Sequence, residues 1–363
     1  MRNEVKYCNK REKIFMLAIV IFTLGFFTCN TAEPPDNNGN GQDTTSHNFT
    51  FETFTFGQHS SSLLYNVAII NENNIWAVGE IYLKDSLGNP DPHAYNAVHW
   101  DENRWDILRI PTKTFSGSTV SSPVKTIFCF NKNDIWTFSV AGSYSHWKGS
   151  NWVTEFVNER EGSGNKLLGI SSTNLYLVCS YEGISFYNGT NWQKKESGTD
   201  LDIYDIVGNN GETGVEIYAV AANQGTSTEK KIFQLKNNSL INLPVAGIPS
   251  SIKSIWFKAG KKYYVVGSGM YTKTDINSTL SWESIWQGIT QYYTKSIDGN
   301  DLNDIVVCGA YGEMLHYNGA TWKSFQNELQ MQAGAYNVVK INGNFIIAVG
   351  YDSPKAVITI GRR

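Results

Sequence analysis

The side chains with the greatest chemical potential are few and scattered. Glu159, Glu161, Asp205 and Asp298 are the acids that could give a glycoside hydrolase or lyase its carboxylate pair, or a carboxylate working with Tyr, His or Lys. None of the four sits in a defining motif. A clamp for an acidic sugar needs several guanidinium groups on one face, yet only Arg104, Arg109 and Arg160 fall within the repeats described below. The chain has no GxSxG, no phosphate-binding GxxxxGK[ST] loop and no HExxH, so nucleophilic, nucleotide and zinc-protease chemistries lack their usual motifs. DNNGNGQD at 36–43 has the look of a calcium loop but no bidentate Glu at its twelfth position, and the acids of DGNDLNDIVV at 298–307 do not keep the 1-3-5-9 spacing. The sequence implies no metal, no cofactor and no catalytic set.

Any chemistry must therefore come from how a repeated scaffold presents its loops. One pattern recurs seven times: NNIWAVG (73–79), NDIWTFS (133–139), NLYLVCS (174–180), EIYAVAA (216–222), KYYVVGS (262–268), NDIVVCG (303–309) and NFIIAVG (344–350). The positions aligned with Trp76 are spaced by 60, 40, 42, 46, 42 and 41 residues, the period of a four-stranded propeller blade. Upstream of each copy stands a short residue followed by Val or Ile, at Asn66-Val67, Thr126-Ile127, Gly169-Ile170, Asp205-Ile206, Ser254-Ile255, Ser296-Ile297 and Asn337-Val338, which we read as the innermost strands. Downstream, HWDENRW (99–105), HWKGSNW (146–152), FYNGTNW (186–192) and HYNGATW (316–322) form hairpins around tight turns and place Trp105, Trp152, Trp192 and Trp322 between blades.

The fold class expected is all-β, a seven-bladed propeller. Its seventh copy ends at AVITIGRR without a fourth strand, whereas FTFETFTF at 49–56 alternates strongly before the first blade. That N-terminal strand is expected to complete the last blade and close the ring. Gly79, Ser139, Cys179, Ala221, Gly267, Gly309 and Gly350 share one position that is always small. Cys179 and Cys308 read as packing residues, and with Cys129 they make an odd count that argues against a disulfide framework. His99, His146 and His316 occupy one repeat position in three different blades, which does not suit a shared metal.

These copies resemble the bacterial neuraminidase repeat and its secreted WD- and YVTN-like relatives, over residues 49–363. GATW at 319–322 and GTNW at 189–192 are similar to the second half of the sialidase Asp-box, but Tyr317 and Tyr187 stand where its Asp would be. The resemblance implies architecture and leaves activity open, because propellers of this kind include enzymes, scaffolds and binding modules. Photosystem II stability factors share the repeat class, and a likeness to them implies an arginine patch that this sequence lacks.

Compartment is written at the N-terminus. Residues 1–13 are basic, Ile14 to Phe27 are an uncharged apolar run, and Cys29 follows, the plan of a secretory signal peptide over 1–28. Fourteen residues of helix reach only ~21 Å, short of a ~30 Å hydrocarbon core. Gly25-Phe26-Phe27-Thr28-Cys29 resembles a bacterial lipobox and implies lipidation at Cys29; simple cleavage with secretion is the alternative. Residues 29–48 are rich in Asn, Gly and Pro and read as a flexible linker. The leader holds five of the chain's 30 basic and two of its 33 acidic side chains, leaving 25 against 31. A mildly acidic body with five arginines does not track nucleic acid. We expect an exported monomer, on the outer membrane or cell surface, that touches membrane only through its lipid.

In a propeller the loops from second to third strands and from blade to blade share one face, the mouth. Those loops carry Tyr82, Tyr95, Phe115, Tyr144, Tyr181, Trp286 and Tyr311. Exposed rings there would stack on sugars or grip a protein; folded back, they would merely cap the blades. Lys125, Lys253 and Lys295 precede the innermost short residue and stand at the channel rim, with Tyr65, Tyr204, Leu168 and Tyr336 at the same aligned place. They are poised either for an anion or for solvent. The function this suggests is a non-catalytic binding or scaffold module for a glycan or a surface protein, with a glycan-active hydrolase or lyase as the alternative.

Overall fold

The computed structural model describes residues 43–158, 163–181, 183–212, 214–223, 228–236 and 239–363. Among them are seven four-stranded antiparallel sheets, six of them each built from one sequence copy, and one two-stranded hairpin, Thr112–Lys113 with Thr119–Val120. Blade 1 runs from Leu63–Asn71 at the axis through Asn74–Ile81 and Tyr95–Trp100 to Trp105–Leu108 at the rim. Blades 2 to 6 begin with the innermost strands Val124–Asn131, Gly164–Ser171, Asp202–Gly211, Ile252–Lys258 and Thr294–Asp301. Blade 7 comprises Gly334–Asn342, Phe345–Asp352, Lys355–Arg362 and, as its outermost strand, Thr50–Phe56. The closing strand pairs in continuous register from Thr50 opposite Arg362 to Phe56 opposite Ala356, as the alternation of FTFETFTF predicts.

Burial explains the repeat. The second strand of each blade is covered on both faces, so its residues are apolar at successive positions instead of alternating. Ile75 and Ala77 join a cluster with Val349 and Ile358 of blade 7, while Val78 joins Val124 and Ile127 of blade 2. The apolar core is divided in this way into seven clusters, one between each pair of neighbouring blades. The rim tryptophans weld blades to their predecessors: Trp105 packs on Phe54 and Phe56, Trp152 on Trp76, and Trp192 on Tyr144. Trp322 packs into the cluster between blades 5 and 6.

The three repeat-related histidines are struts. His99, His146 and His316 each place Nε2 within 2.7–3.0 Å of the Oδ1 of Asn74, Asp134 or Asp304, at the start of the neighbouring strand. His99 and His146 also stack on Trp76 and Trp136, with ring centroids 4.2 and 3.8 Å apart. Burial holds both imidazoles below the usual histidine range, as desolvation of a cation demands. Cys129, Cys179 and Cys308 are free thiols, and burial raises the Cys129 and Cys308 thiols. Cys308 lies between Val306 and Tyr336 in the cluster joining blades 6 and 7.

Residues 43–48, which the sequence assigns to the linker, run along blade 6. Thr45 N donates to Asn318 O at 3.0 Å and Thr45 Oγ1 to Asn303 O at 2.7 Å, while His47 Nδ1 lies 2.8 Å from His316 Nδ1. Composition marks this stretch as linker because its contacts with blade 6 are polar and far away in sequence. The leader, Cys29, the rest of the linker, Glu159, Arg160 and Glu161 lie outside the described residues.

The always-small position has a steric cause. A β-carbon on Gly309 would stand 2.2 Å from Tyr293 O, and one on Gly350 would stand 2.0 Å from Ala335 O, with no flexible side chain to yield. Gly309→Ala is therefore expected to cost about 3 kcal/mol through overpacking, whereas Cys179→Ala at the aligned place costs about 1 kcal/mol. Urea unfolding followed by tryptophan fluorescence measures both; equal costs would show that the close approach is not what keeps the position small.

Candidate functional site: the axial mouth

Every innermost strand carries a register shift near its start, at Leu64/Asn66, Val124/Thr126, Gly164/Lys166, Ile203/Asp205, Ile252/Ser254, Thr294/Ser296 and Tyr336/Val338. A bulge leaves one residue outside the ladder and re-aims its side chain. The seven extra residues are Tyr65, Lys125, Asn165, Tyr204, Lys253, Lys295 and Asn337, and all seven line a cavity of about 370 Å³ where the axial channel opens. Lys125, Lys253 and Lys295 thus meet at one mouth, as the sequence suggests.

Two blades depart from the expected alignment. In blade 3 the short innermost position is Lys166, followed by Leu167, and not Gly169-Ile170; in blade 7 it is Val338-Val339, and not Asn337-Val338. Leu168 and Tyr336 are consequently buried in the cores between blades, and Asn165 and Asn337 take their places at the rim. In blade 3 the signal is hairpin counting; in blade 7 the same count returns Asn337, because Val338 stands only 12 positions before Gly350. From the innermost short residue to the always-small residue is 13 positions in blades 1, 2, 3, 5 and 6, which points to Lys166 from Cys179. Residue type misleads because a long, charged Lys166 occupies a place that is short and polar in most other blades.

Below the rim, polar side chains pass from blade to blade. Asn66 Nδ2 donates to Thr126 Oγ1 at 3.2 Å, and Leu167 N donates to the same hydroxyl at 3.0 Å. Asn165 Nδ2 donates to Ile203 O at 2.9 Å, Ser254 Oγ to Asp205 Oδ2 at 2.6 Å, and Ile297 N to Ser254 Oγ at 3.4 Å. Lys295 Nζ donates to Asn337 Oδ1 and Asn337 Nδ2 to Leu64 O, at 2.9 and 2.8 Å. These bonds bridge all seven blade boundaries.

Two of the four candidate acids, Asp205 and Asp298, are engaged in this collar. Asp205 Oδ2 accepts from Ser254 and from Ile255 N, and its Oδ1 lies 3.8 Å from Lys166 Nζ. Asp298 Oδ2 accepts from Ile341 N at 3.0 Å, with Lys340 Nζ 3.5 Å from its other oxygen. Asp205 lines the mouth cavity and Asp298 a separate one of about 340 Å³ further along the channel. Among the described residues no cluster of three or more His, Cys, Asp or Glu is placed to hold a metal. Asp301 and Asp304, from the calcium-like stretch, are held by Lys258 and by His316 with Arg363.

The rim lysines rest on aromatic faces. Lys253 Nζ lies 3.1 Å from the centroid of the Tyr204 ring and Lys125 Nζ 4.0 Å from that of Tyr65, a cation–π arrangement. Burial depresses all three ammonium groups, and Lys253, with Lys295 and Lys125 as like-charged neighbours, is pushed down to about 8. Glu80 sits nearby but accepts from the hydroxyls of Tyr65 and Tyr82.

The loop aromatics divide into two groups. Phe115, Tyr181 and Tyr311 are exposed, at 82%, 73% and 58%, and Tyr181 and Tyr311 hold left-handed backbone at φ 56° and 55°, uncommon for bulky residues. Asp202 fixes the first by accepting from Tyr181 N, and Gly334 O the second by accepting from Tyr311 N. The other four are corrections to the expected set. Tyr144 is buried in a strand against Trp136 and Trp192. Tyr95 is half-buried under the Arg109 guanidinium, 3.8 Å from its centroid. Tyr82 is half-buried and bonded to Glu80, and Trp286 packs against two of the core clusters. Ring count on a loop does not reveal which side the loop turns.

No protein family description and no curated protein matches the sequence. Solved structures do. YCF48 bound to D1 peptide superposes with a TM-score of 0.63 at 12% identity, over 89% of this chain and 100% of that one. The WD40 propeller domain of Doa1 gives 0.57 at 11% identity, over 89% and 97%. An inactive virginiamycin B lyase from Staphylococcus aureus, solved with quinupristin, gives 0.56 at 9% identity, over 85% and 99%. At these identities the likeness is one of fold: the chain is a seven-bladed β-propeller.

Lys253 gives the mouth a measurable signature. Its folded-state pKa of about 8 lies below the ordinary 10.5, so between those values the unfolded chain binds more proton and the Lys253 contribution to stability rises with pH. Lys253→Met is expected to be more stable than the parent at pH 7, with the gap narrowing from pH 8 to 10.5. Chemical denaturation across that range measures it, and a constant gap would show that no buried charge was removed.

Proposed function

We propose that this protein is an exported, non-catalytic binding module of the bacterial neuraminidase repeat type, lipidated at Cys29 and holding a surface protein on its mouth face. The observation that carries this reading is the separation of the three exposed rings. Phe115 projects from the connection between blades 1 and 2, Tyr181 from blade 3 and Tyr311 from blade 6. Rings spread over three blades suit the broad contact of a protein partner, in which buried aromatics dominate the energy; a sugar needs adjacent rings, and the glycan alternative rests on Tyr311 with Tyr292, whose centroids are 5.5 Å apart. The fold of YCF48, solved with a peptide, is compatible with such use. Of the four acids open to the hydrolase or lyase alternative, Asp205 and Asp298 are engaged across blades, while Glu159 and Glu161 lie outside the described residues.

Three variants test this reading. Tyr181→Ala, Tyr311→Ala and Phe115→Ala should each weaken capture of the partner from a solubilised envelope fraction about tenfold, the effect of ~1.4 kcal/mol, without lowering the melting temperature. Retention on a glycan array with unchanged protein capture in all three would refute it, and release of glycan fragments would restore the enzyme. Tyr144→Ala should instead cost about 3 kcal/mol of stability, as a buried aromatic. For the anchor, Cys29→Ala should abolish incorporation of labelled palmitate and shift the protein from membrane to soluble fractions; unchanged labelling would exclude lipidation there.

A further inference from the structure

We infer that the axial mouth is a binding site for a small multivalent oxyanion, one carrying carboxylate or phosphate oxygens on several sides. This inference rests on the mouth face being the binding face. Three ammonium groups converge on one cavity from blades 2, 5 and 6. Among the described residues Lys125, Lys253 and Lys295 form no ion pair, and Lys125 and Lys253 donate no hydrogen bond. Each ammonium carries three donors, and holding three such groups together without an anion is unfavourable.

Three carboxylates lie near enough to offset part of this charge, but among the described residues none forms an ion pair with these lysines. Glu80 is engaged by two tyrosine hydroxyls, Asp202 by Tyr181 N and the Tyr204 hydroxyl, and Asp205 by Ser254, Ile255 N and Lys166. Lys295 faces Asn337 and, at 5.6 Å, the Tyr351 ring. Bulges aim these side chains at the axis at the expense of ladder pairing, and the cost of burying charge is visible in their depressed proton affinity.

Ligand class follows from geometry. Lysines act as point charges and do not impose the bidentate fork that arginine imposes on a single carboxylate. Placed on separate blades, they are met together only by an anion with oxygens facing more than one way. The cavity, at about 370 Å³, is in the range of small-molecule sites. Tyr65 and Tyr204 already have lysine ammonium groups on their faces, so a sugar ring cannot stack there without displacing them. The Lys166–Asp205 pair forms the floor.

The test is isothermal titration calorimetry of the full chain in detergent micelles with citrate and, separately, inorganic phosphate, at constant ionic strength. At least one should bind below millimolar concentration at pH 7, with affinity falling as pH rises through about 8, where Lys253 loses its proton. Lys253→Met and Lys125→Met should each weaken binding at least tenfold, while Lys253→Arg retains it; a melting curve confirms that each variant is folded. Heat from citrate alone assigns a carboxylate ligand and heat from phosphate alone a phosphate one. No heat from either, or affinity unchanged in both methionine variants, overturns the inference. If partner capture still depends on Tyr181 and Tyr311, that outcome removes the anion site and leaves the binding module; loss of both readings requires the tyrosine variants to fail as well.

Discussion

The structure depends on closing a ring of seven twisted sheets. An open ring would leave the outer edge of blade 7 unpaired and the cluster between blades 7 and 1 uncovered. Pairing of Thr50–Phe56 with Lys355–Arg362 removes that edge, and Phe54 and Phe56 then give Trp105 of blade 1 its packing surface. One strand thereby ties two sequence-distant segments together and seats the first blade on the last. Segment 43–48 extends this join along blade 6, where His47 meets His316. The strut that orients His316 in turn includes Asp304 and Arg363.

Closure also dictates conditions at the axis. Where the innermost strand bulges, carbonyl groups such as Tyr293 O and Ala335 O crowd the second strand of their own blade, and Gly309 and Gly350 fit beside them. The bulge adjoining this position turns one side chain per blade into the channel. Crowding and display are thus two results of one geometry. Backbone pairing is lost locally, and the side chains immediately below restore it by bonding across each blade boundary, Thr126, Asp205, Ser254 and Asn337 among them. Asp205 and Asp298, two of the acids that look available for catalysis, are engaged here, and Lys125, Lys253 and Lys295 face the mouth cavity.

A division of labour results. Residues near the axis are rigidly held and few, suited to a small, charged group. Phe115, Tyr181 and Tyr311 stand further out on connections that tolerate change, and two of them are fixed in left-handed backbone by bonds to Asp202 and Gly334. Positioning strained aromatic residues outward while Tyr144, Tyr95, Tyr82 and Trp286 fold back separates the face's contact points from its packing.

Repeat period, blade number, the closing strand and the burial of Cys179 and Cys308 were legible in the sequence alone, because each follows from local pattern: apolar runs of a strand covered on both faces, tight-turn residues, and alternation in FTFETFTF. The rim lysines were legible too, since they keep a fixed place in the copies. What tertiary structure decided was register and direction. Lys166 in blade 3 and Asn337 in blade 7 were misplaced by residue type, because one position slipped along a strand changes which group faces the axis, and only the pairing with Cys179 and Gly350 fixes it. Whether a loop ring reaches solvent or covers its own blade depends on partners far away in sequence, such as Arg109 on Tyr95 or Trp192 on Tyr144. No local pattern encodes those contacts, and the convergence of three lysines from three blades on one cavity exists only after the ring has closed.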